Sequence, residues 1–515
     1  MAIDTYFFLG LAFFFLFLFV RGFRRHRNFP PSLGSLPIIG HLHLLKKPLH
    51  QSLANISSRH GPILSLRFGS RRVLLVSSAA AAEECLSKND LAFANRPRFL
   101  AGKHLGYDYT TITWASYGSH WRNLRRLVTF EIFSASRLVS FSGIREDEVG
   151  AMLRSIAKDS QIGAGGGVVE MRKRFFELSF NIMMQMVAGK RFYSDDACMK
   201  DECTRFHDIV TETFAVSGST NLSDFLPFLR WFGLNGSEKK LKRLQEKKDS
   251  FIQDLVDERR KECSRRSSRA DEEGEETSGK SRKCLIDTLL ALQRTNPEEH
   301  SDKIIKGIIV VMLSAGSETS ALTLEWALAL LLRNPAAFAK ARAEIEVNVG
   351  CRRISESDLS NLPYLHAVIE ETLRLQPVAP LLPAHESAED CVVGGFDVPR
   401  GTLLLVNVWA IHRDAAVWED AEAFRPERWL EKEKQGGERL LSFGMGRRRC
   451  PGDGMAMRVV GLALGALLQC FDWEVGGELE KVDLSEGPGL SMPMAKPLRA
   501  RCRPNQLLID LFGLV

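Results

Sequence analysis

Residues 443–456 read FGMGRRRCPGDGMA, and the chain is organised around Cys450 at the centre of that stretch. Gly444 and Gly446 permit turns that a side chain would block. Pro451 suits the first position of a helix, and an apolar run from 455 to 468 follows at helical spacing. The spacing therefore predicts a helix that starts beside Cys450. A thiol at a helix N-terminus has a lowered pKa and favours the thiolate, and the neighbouring Arg447, Arg448 and Arg449 act in the same direction. A thiolate on a tight loop, beside cations able to bind carboxylates, suits a metal cofactor carrying acid groups; haem has an iron and two propionates. Taken singly, a cysteine is most often a small buried apolar residue, and a run of three arginines is most often solvated surface. Only the joint pattern argues otherwise.

That joint pattern of Phe443, Gly446, Arg448, Cys450 and Gly452 resembles, position by position, the haem-binding loop of the cytochrome P-450 superfamily. The resemblance implies haem b (iron protoporphyrin IX) as cofactor, with Cys450 the axial ligand of its iron. It also implies that Arg448 pairs with a propionate, that Phe443 lies against the sulfur and that Gly446 belongs to the cofactor-binding loop. Thiolate ligation drives electron density onto iron and favours O–O cleavage.

By length alone, 515 residues suggest about three domains. No linker-like break after residue 50 separates two self-sufficient halves, however. A hydrophobic content of 45% can bury a large core. The net charge of +6, with 26% charged residues of mixed sign and no basic–aromatic stripe, argues against nucleic acid as a partner. Ten scattered cysteines without CxxC spacing fit reduced thiols facing the cytosol.

Residues 6–20, YFFLGLAFFFLFLFV, carry no charge, and extended back to Ile3 they reach the minimum span of a transmembrane helix. A cleaved signal peptide would want basic residues before the run. Here Asp4 precedes it, while Arg21, Arg24, Arg25 and Arg27 follow it. An uncleaved anchor with a cytosolic body is therefore favoured. The expected organisation is a membrane anchor at 1–21, a basic and proline-rich hinge at 22–43 and a catalytic domain at 44–515. That domain is expected to be mainly α with small β-sheets (α+β), a cytochrome P-450 fold behind an N-terminal transmembrane helix. Resemblance to microsomal members places the anchor in the endoplasmic reticulum membrane.

Residues 63–68 and 73–76 read as a strand pair around Gly69-Ser70. Residues 98–120 form a polar, aromatic loop. The resemblance makes it a lid over the haem and the first substrate-contacting segment, Tyr107 included. Trp121 and Arg125, four apart, share one helix face; their WxxxR match implies that both meet propionates. The apolar stretch 221–236 is expected to dip into the bilayer surface, and 239–260 to be a charged amphipathic helix. Residues 264–283, rich in Ser, Gly and charge, read as a mobile surface loop.

Residues 304–332 are mostly apolar and predict one long helix, interrupted by Ala315-Gly316-Ser317-Glu318-Thr319-Ser320. Glycine weakens a helix centre by about 1 kcal/mol relative to alanine. Thr319 is spaced to turn its hydroxyl onto the carbonyl of residue 315. Small residues here serve either a helix–helix contact or a ligand. The hexapeptide is similar to the superfamily's oxygen-activation motif. This implies cofactor contact at Ala315 and Gly316, dioxygen and a water positioned by Thr319, and protons fed toward that water by Glu318.

Glu371 and Arg374 lie at i, i+3 on one helix. With the segment Phe424 to Trp429, which resembles the superfamily's PERF motif, they imply a buried network of Glu371, Arg374 and Arg428 that braces the cysteine loop. His385 aligns with a propionate-binding position. The resemblance also implies a largely apolar pocket lined by Ile112, Val311, Ala315, Val378, Leu382 and Leu490. The closer similarity is to the isoflavone 2'-hydroxylase-like branch of plant microsomal enzymes, carried by residues 96–126 and 385–414. Three positions depart from that group. Gln376 stands for His or Tyr, Pro383-Ala384 for Val-Pro, and Trp429 for Phe. The first two bear on substrate range and the third on local packing.

The resemblance implies a haem-thiolate monooxygenase of plant secondary metabolism that hydroxylates a flavonoid, lignan, other phenolic or terpenoid. NADPH–cytochrome reductase is the implied electron donor, cytochrome b5 a second one, and the basic face of Arg122, Arg125, Arg126 and Arg447 the docking surface. Methylenedioxy-bridge closure on an ortho-methoxyphenol is the alternative. An oxygen-independent haem lyase or isomerase and a haem sensor rank lower, because the Glu318–Thr319 pair is intact.

Overall fold

The computed structural model describes residues 28–161, 167–193, 200–217, 221–230, 236–273, 283–432, 440–474 and 482–513. The expected anchor at 1–21 lies outside them. The longer helices are α1 (Leu49–His60), α2 (Ser119–Glu131), α3 (Ser142–Ser160), α4 (Met171–Ala188), α5 (Lys200–Ser217), α6 (Gly236–Glu273), α7 (Leu285–Thr295), α8 (Asp302–Arg333), α9 (Pro335–Val349), α10 (Pro363–Leu375) and α11 (Asp453–Cys470). The strands are short: β1 (Ile63–Phe68), β2 (Arg71–Val76), β3 (Val168–Glu170), β4 (His385–Glu386), β5 (Cys391–Val393), β6 (Phe396–Val398), β7 (Leu403–Val406), β8 (Phe471–Trp473) and β9 (Arg499–Pro504). They form sheets of order β1-β2-β7-β4, β3-β9-β8 and β5-β6.

The long apolar pattern forms α8, which is buried along most of its length from Ile305 to Leu332. A helix that is hydrophobic all round belongs inside. Both α8 and α11 are long and apolar enough to cross a bilayer, yet most of each is covered by the rest of the fold. Helix α4 lies along α8, with Gly316 at the close approach: a Cβ there would fall 2.7 Å from Met183 Sδ. A second apolar cluster, including Leu74, Val76, Phe93, Leu382, Val406 and Leu441, joins the largest sheet to the segment that leads into the cysteine loop.

The expected β1–β2 hairpin forms in antiparallel register, Ile63 opposite Val76 and Phe68 opposite Arg71, with β2 starting two residues earlier than expected. Three stretches add to the expectations or change them. The hinge from Asn28 onward lies against the body: Asn28 N donates to Asp397 Oδ2 at 2.7 Å, and Ser65 N donates to Pro31 O at 2.8 Å. Prolines keep this stretch extended, and an extended chain can lie along a neighbouring strand. Residues 264–273, expected as loop, continue α6. Arg, Ala and Glu favour helix, and extending an existing helix costs little. Residues 274–282 lie outside the described residues. The 98–120 segment contains a short helix, Leu100–His104, and three successive residues with left-handed backbone, Tyr107, Asp108 and Tyr109.

Candidate functional site

The cysteine loop is closed by its own backbone, Cys450 N donating to Phe443 O at 2.9 Å. Gly446 sits at φ +68, and a Cβ there would fall 2.1 Å from Leu86 O. The next residue, Arg447, donates its backbone N–H to Asp90 Oδ1 at 3.1 Å. Glycine is thus required where the loop seats on the 86–90 segment. Helix α11 begins at Asp453 with Gly452 as its cap, so Cys450 precedes its first residue by three. Pro451 yields the helix start to a glycine cap and an acidic first turn. The thiol is also not lowered as expected. Burial pushes it up and Asp453 adds to that, against the Gly452 N–H, Arg125 and Arg449. The protein alone therefore favours the thiol, and a bound metal cation is what would make it a thiolate.

Beside the loop stands a wall of cations. Arg448 donates to Ala94 O at 2.7 Å, Ile112 O at 3.2 Å and Ala115 O at 2.6 Å, with its guanidinium 4.6 Å from the Trp121 ring centroid. Trp121 Nε1 donates to Ile112 O at 3.0 Å, and Arg125 donates to Arg449 O at 2.7 Å. His385 is buried with Nδ1 2.8 Å from Phe93 O. Arg96, not singled out from the sequence, joins them: buried, it donates to Thr113 O at 3.3 Å and to the carbonyls of Pro383 and Ala384.

Desolvation and mutual repulsion hold Arg448 down to about 9, and burial holds Arg96 down to about 10. Burial also lowers Arg125, and burial with Arg96 and Arg448 nearby holds His385 well below its ordinary range. Among the described residues, Arg96, Arg125 and Arg448 form no ion pair with a carboxylate; carbonyls are their partners. Clustered, desolvated cations without anions are costly. A ligand bearing two carboxylates would relieve that cost, so the residues present fit haem.

On α8, Val311, Ala315 and Thr319 recur at i, i+4 and i+8 as an open stripe on an otherwise buried helix, with Ala315 exposed at its centre. Thr319 Oγ1 donates to Ala315 O at 2.7 Å, the bond its position predicts. Gly316 differs from expectation: the close contact at its Cα is with Met183 of α4, so its missing side chain serves helix packing. Glu318 is buried, and its carboxyl is pushed up to about 7 by burial, with Arg172 opposing and Glu325 adding.

Glu371 is fully buried and accepts five hydrogen bonds. They come from Arg374 Nε at 3.0 Å and Nη2 at 2.8 Å, Arg428 Nε at 3.1 Å, Arg425 N at 2.9 Å and Trp429 Nε1 at 2.9 Å. The tryptophan expected to affect only packing therefore donates a bond that phenylalanine lacks. Arg374 also donates to His412 O at 2.6 Å. Leu441 N donates to His412 Nε2 at 3.0 Å, and Ser442 Oγ donates to Leu373 O at 2.6 Å. These bonds tie the end of α10 to the start of the cysteine loop.

Of the expected pocket residues, the structure brings Val378 and the 486–494 turn together, Met492 N donating to Val378 O at 2.8 Å. Thr111, next to Ile112, packs over Gly307, one turn before Val311 on α8. Leu490 is half-buried. Two residues are placed otherwise. Leu382 is buried in the second apolar cluster, and Tyr107 sends its hydroxyl to Asp249 Oδ1 at 2.8 Å on α6. Gln376, one of the three departures, is buried with Oε1 unpartnered.

The profile of the family "Cytochrome P450" matches residues 30–498. Cytochrome P450 81Q32 of Catharanthus roseus is 51% identical over 94% of this chain and 93% of its own length. The (+)-piperitol/(+)-sesamin synthase CYP81Q2 of Sesamum radiatum is 45% identical over 93% of this chain and 91% of its own. The isoflavone 2'-hydroxylase of Glycyrrhiza echinata is 43% identical over 98% of this chain and 97% of its own. Among solved structures, a zebra fish cytochrome P450 with progesterone superposes with a TM-score of 0.72 at 26% identity, covering 89% of this chain and 100% of that one. Site, fold and kinship agree: the chain belongs to the cytochrome P450 family and is one of its monooxygenases.

Proposed function

We propose that this monooxygenase hydroxylates a small apolar or aromatic plant metabolite, a flavonoid, lignan, other phenolic or terpenoid, with electrons that originate in NADPH. The carrying observation is the open stripe of Val311, Ala315 and Thr319, beside a carboxyl that titrates near neutrality. Haem, when bound, supplies the reductive activation of dioxygen and the oxidising power. Cys450 would hold its iron, while Arg96, Arg125 and Arg448, with Trp121 and His385, would hold its propionates. Thr319 commits its own proton to Ala315 O, which leaves its oxygen free to accept a bond from a water at the stripe. With its carboxyl pushed up to about 7, Glu318 exchanges its proton near neutral pH and can pass it toward that water. Val311, Ala315, Val378 and Leu490 make an apolar lining, which excludes water and suits a flat substrate.

Relatives named for isoflavones and for piperitol and sesamin support the phenolic classes. A relative named as a synthase and not as a hydroxylase leaves room for the second reading, methylenedioxy-bridge closure. Both are tested by expressing the protein in microsomes with reductase and NADPH and screening phenolics and terpenoids by mass. Gain of one oxygen supports hydroxylation; loss of two hydrogens supports ring closure. Inactivity across the screen, with a normal reduced carbon monoxide spectrum, would reject these substrate classes.

The electron donor is proposed to be NADPH–cytochrome reductase, with cytochrome b5 competing for the same face. Arg122 and Arg447 are exposed around Tyr117, 5.6 Å and 5.3 Å from its ring centroid, and Arg126 and Phe130 are exposed on α2. Arg125 is half-buried and packs toward Cys450, so it leaves that face. An exposed aromatic beside arginines suits docking to an acidic partner. The proposed location is the endoplasmic reticulum membrane, with the catalytic domain in the cytosol.

A further inference from the structure

The 485–494 turn carries Leu490, and any role for the turn in the oxidation rests on the proposed function, which sets Leu490 against the substrate. The turn is closed by an antiparallel bridge between Glu486 and Met494 and by Gly487 N donating to Pro493 O at 2.7 Å. Its far limb is held by three elements. Met492 N donates to Val378 O at 2.8 Å, Trp326 Nε1 of α8 to Met492 O at 2.8 Å, and Arg172 of α4 to Met494 O at 2.7 Å. The near limb is different. Among the described residues from 484 to 490, the side-chain hydrogen bonds to other elements all converge on one carboxylate, that of Glu486.

That carboxylate accepts from three donors on two elements. His50 Nε2 lies 2.6 Å and Gln51 Nε2 2.7 Å from Oε2, both at the start of α1, and Trp409 Nε1 lies 2.8 Å from Oε1. The pair is buried, with side-chain exposures of 6% for His50 and 7% for Glu486. The donors are themselves fixed. Asn407, fully buried, donates to His50 O at 2.8 Å, and the Arg413 guanidinium sits 4.2 Å from the Trp409 ring centroid. Charge-assisted bonds are about twice as strong as neutral ones, and a carboxylate is the acceptor that can take all three donors at once.

We propose that Glu486 is a positioning residue for the oxidation: through its bonds to His50, Gln51 and Trp409 it fixes the near limb of the turn, and so decides where Leu490 holds the substrate. The side-chain bonds of Glu486 go to α1 and Trp409 and not to the cysteine loop, so it should set selectivity and fit without setting cofactor loading.

The test compares wild type with Glu486→Gln and Trp409→Phe as purified holoenzymes. An amide keeps the shape but offers one acceptor oxygen and sets its own NH2 against a donor. Expected for Glu486→Gln are an unchanged reduced carbon monoxide spectrum and imidazole affinity within about twofold of wild type. Binding of the bulky azole clotrimazole should weaken about tenfold, and amide exchange confined to 485–494 should speed up about tenfold. Trp409→Phe, which keeps the charge and two donors, should fall between. On the substrate that the metabolite screen returns, KM and the ratio of product isomers should change more than the total oxidation rate. Unchanged exchange and clotrimazole binding in Glu486→Gln would overturn the proposal. Should that variant not fold, wild-type exchange in 485–494 and wild-type clotrimazole binding in Trp409→Phe would overturn it instead. A wild-type protein without a sulfur-ligated haem spectrum would fail the function itself and leave a different signature.

Discussion

Glu318 and Thr319 are neighbours with different surroundings, and each makes a separate prediction. Thr319 bonds its hydroxyl to a carbonyl of its own helix, a contact that slightly disfavours straight helix. Thr319→Ala should therefore leave stability within about 1 kcal/mol of wild type. Its effect should fall on coupling, with NADPH consumed, less product formed and more peroxide released. Product, peroxide and NADPH measured together check this, and unchanged coupling would remove Thr319 from the proton path. Glu318 is held protonated to about pH 7 by burial, whereas a carboxyl in the unfolded chain releases its proton near about 4.3. Between those values the folded state binds more protons than the unfolded one, so stability falls as pH rises and is flat outside the window. Glu318→Gln should remove that fall, matching wild type near pH 4 and exceeding it at pH 8 by at most about 4 kcal/mol. Denaturant midpoints at the two pH values decide it, and the decline of turnover above pH 7 should lose one inflection in the variant. The Thr319 bond is legible in the sequence because donor and acceptor are four residues apart. Arg96 is not, because its partners at Pro383 and Ala384 lie some 290 positions away, and Arg98 is an equal candidate until the chain folds. The direction of the Cys450 shift is hidden for the same reason: burial outweighs neighbouring arginines, and burial belongs to the packed molecule.

The cysteine loop is an irregular element held from both sides, and its two supports should fail differently. On the α10 side, Glu371 gathers five donors with no exposure to water. Removing a buried partner strands charge at about 3–5 kcal/mol, so Glu371→Ala should yield little haem-loaded protein. Trp429→Phe removes one bond to a charged acceptor, worth about 1–3 kcal/mol, and should lower the unfolding midpoint while haem content stays near wild type. Equal haem loss in both variants would mean that Trp429 braces the loop as strongly as the ion pairs do. On the other side, Gly446→Ala places a methyl 2.1 Å from the Leu86 carbonyl, a backbone atom that cannot swing away. Haem incorporation should collapse in that variant, read as pyridine haemochrome per mole of protein. The loop's position and the Glu371–Arg374 spacing are legible because both are local. Trp429 as a donor is not, since a sequence shows an indole's size and only a fold shows what its N–H reaches. Helix α6 runs past its expected end for a related reason: composition alone does not count the helix already formed behind it.

At the scale of the whole molecule, the mainly helical class and the placement of α8 and α11 follow from apolar runs too long and continuous for strands. The relation of the body to a membrane does not, because it depends on distant segments sharing one face. The 69–70 turn supplies that link. Gly69 N donates to Ile39 O at 3.1 Å, and Ser70 N donates to Phe225 O at 2.8 Å, so the hinge and the 221–230 segment meet across it. Leu36, Ile38, Leu222 and Phe228 are all exposed around this junction. Burying on the order of 200 Å² of such surface contributes about 5 kcal/mol at 25 cal/mol per Å². A contribution of that size would give weak, reversible membrane association, well short of a spanning helix. The chain without residues 1–27 should retain the bonds of Asn28 to Gly395 and Asp397, and with them its fold, and should still sediment in part with phospholipid vesicles. Ile38→Asp with Leu222→Asp should abolish that residual binding and leave the carbon monoxide spectrum intact. If the truncated protein ignores vesicles from the start, the exposed apolar residues are not a membrane contact, and the N-terminal segment alone would have to orient the body. If the double variant still binds, charge attraction to the lipid headgroups carries the contact, and binding should then weaken as salt shortens the reach of surface charge.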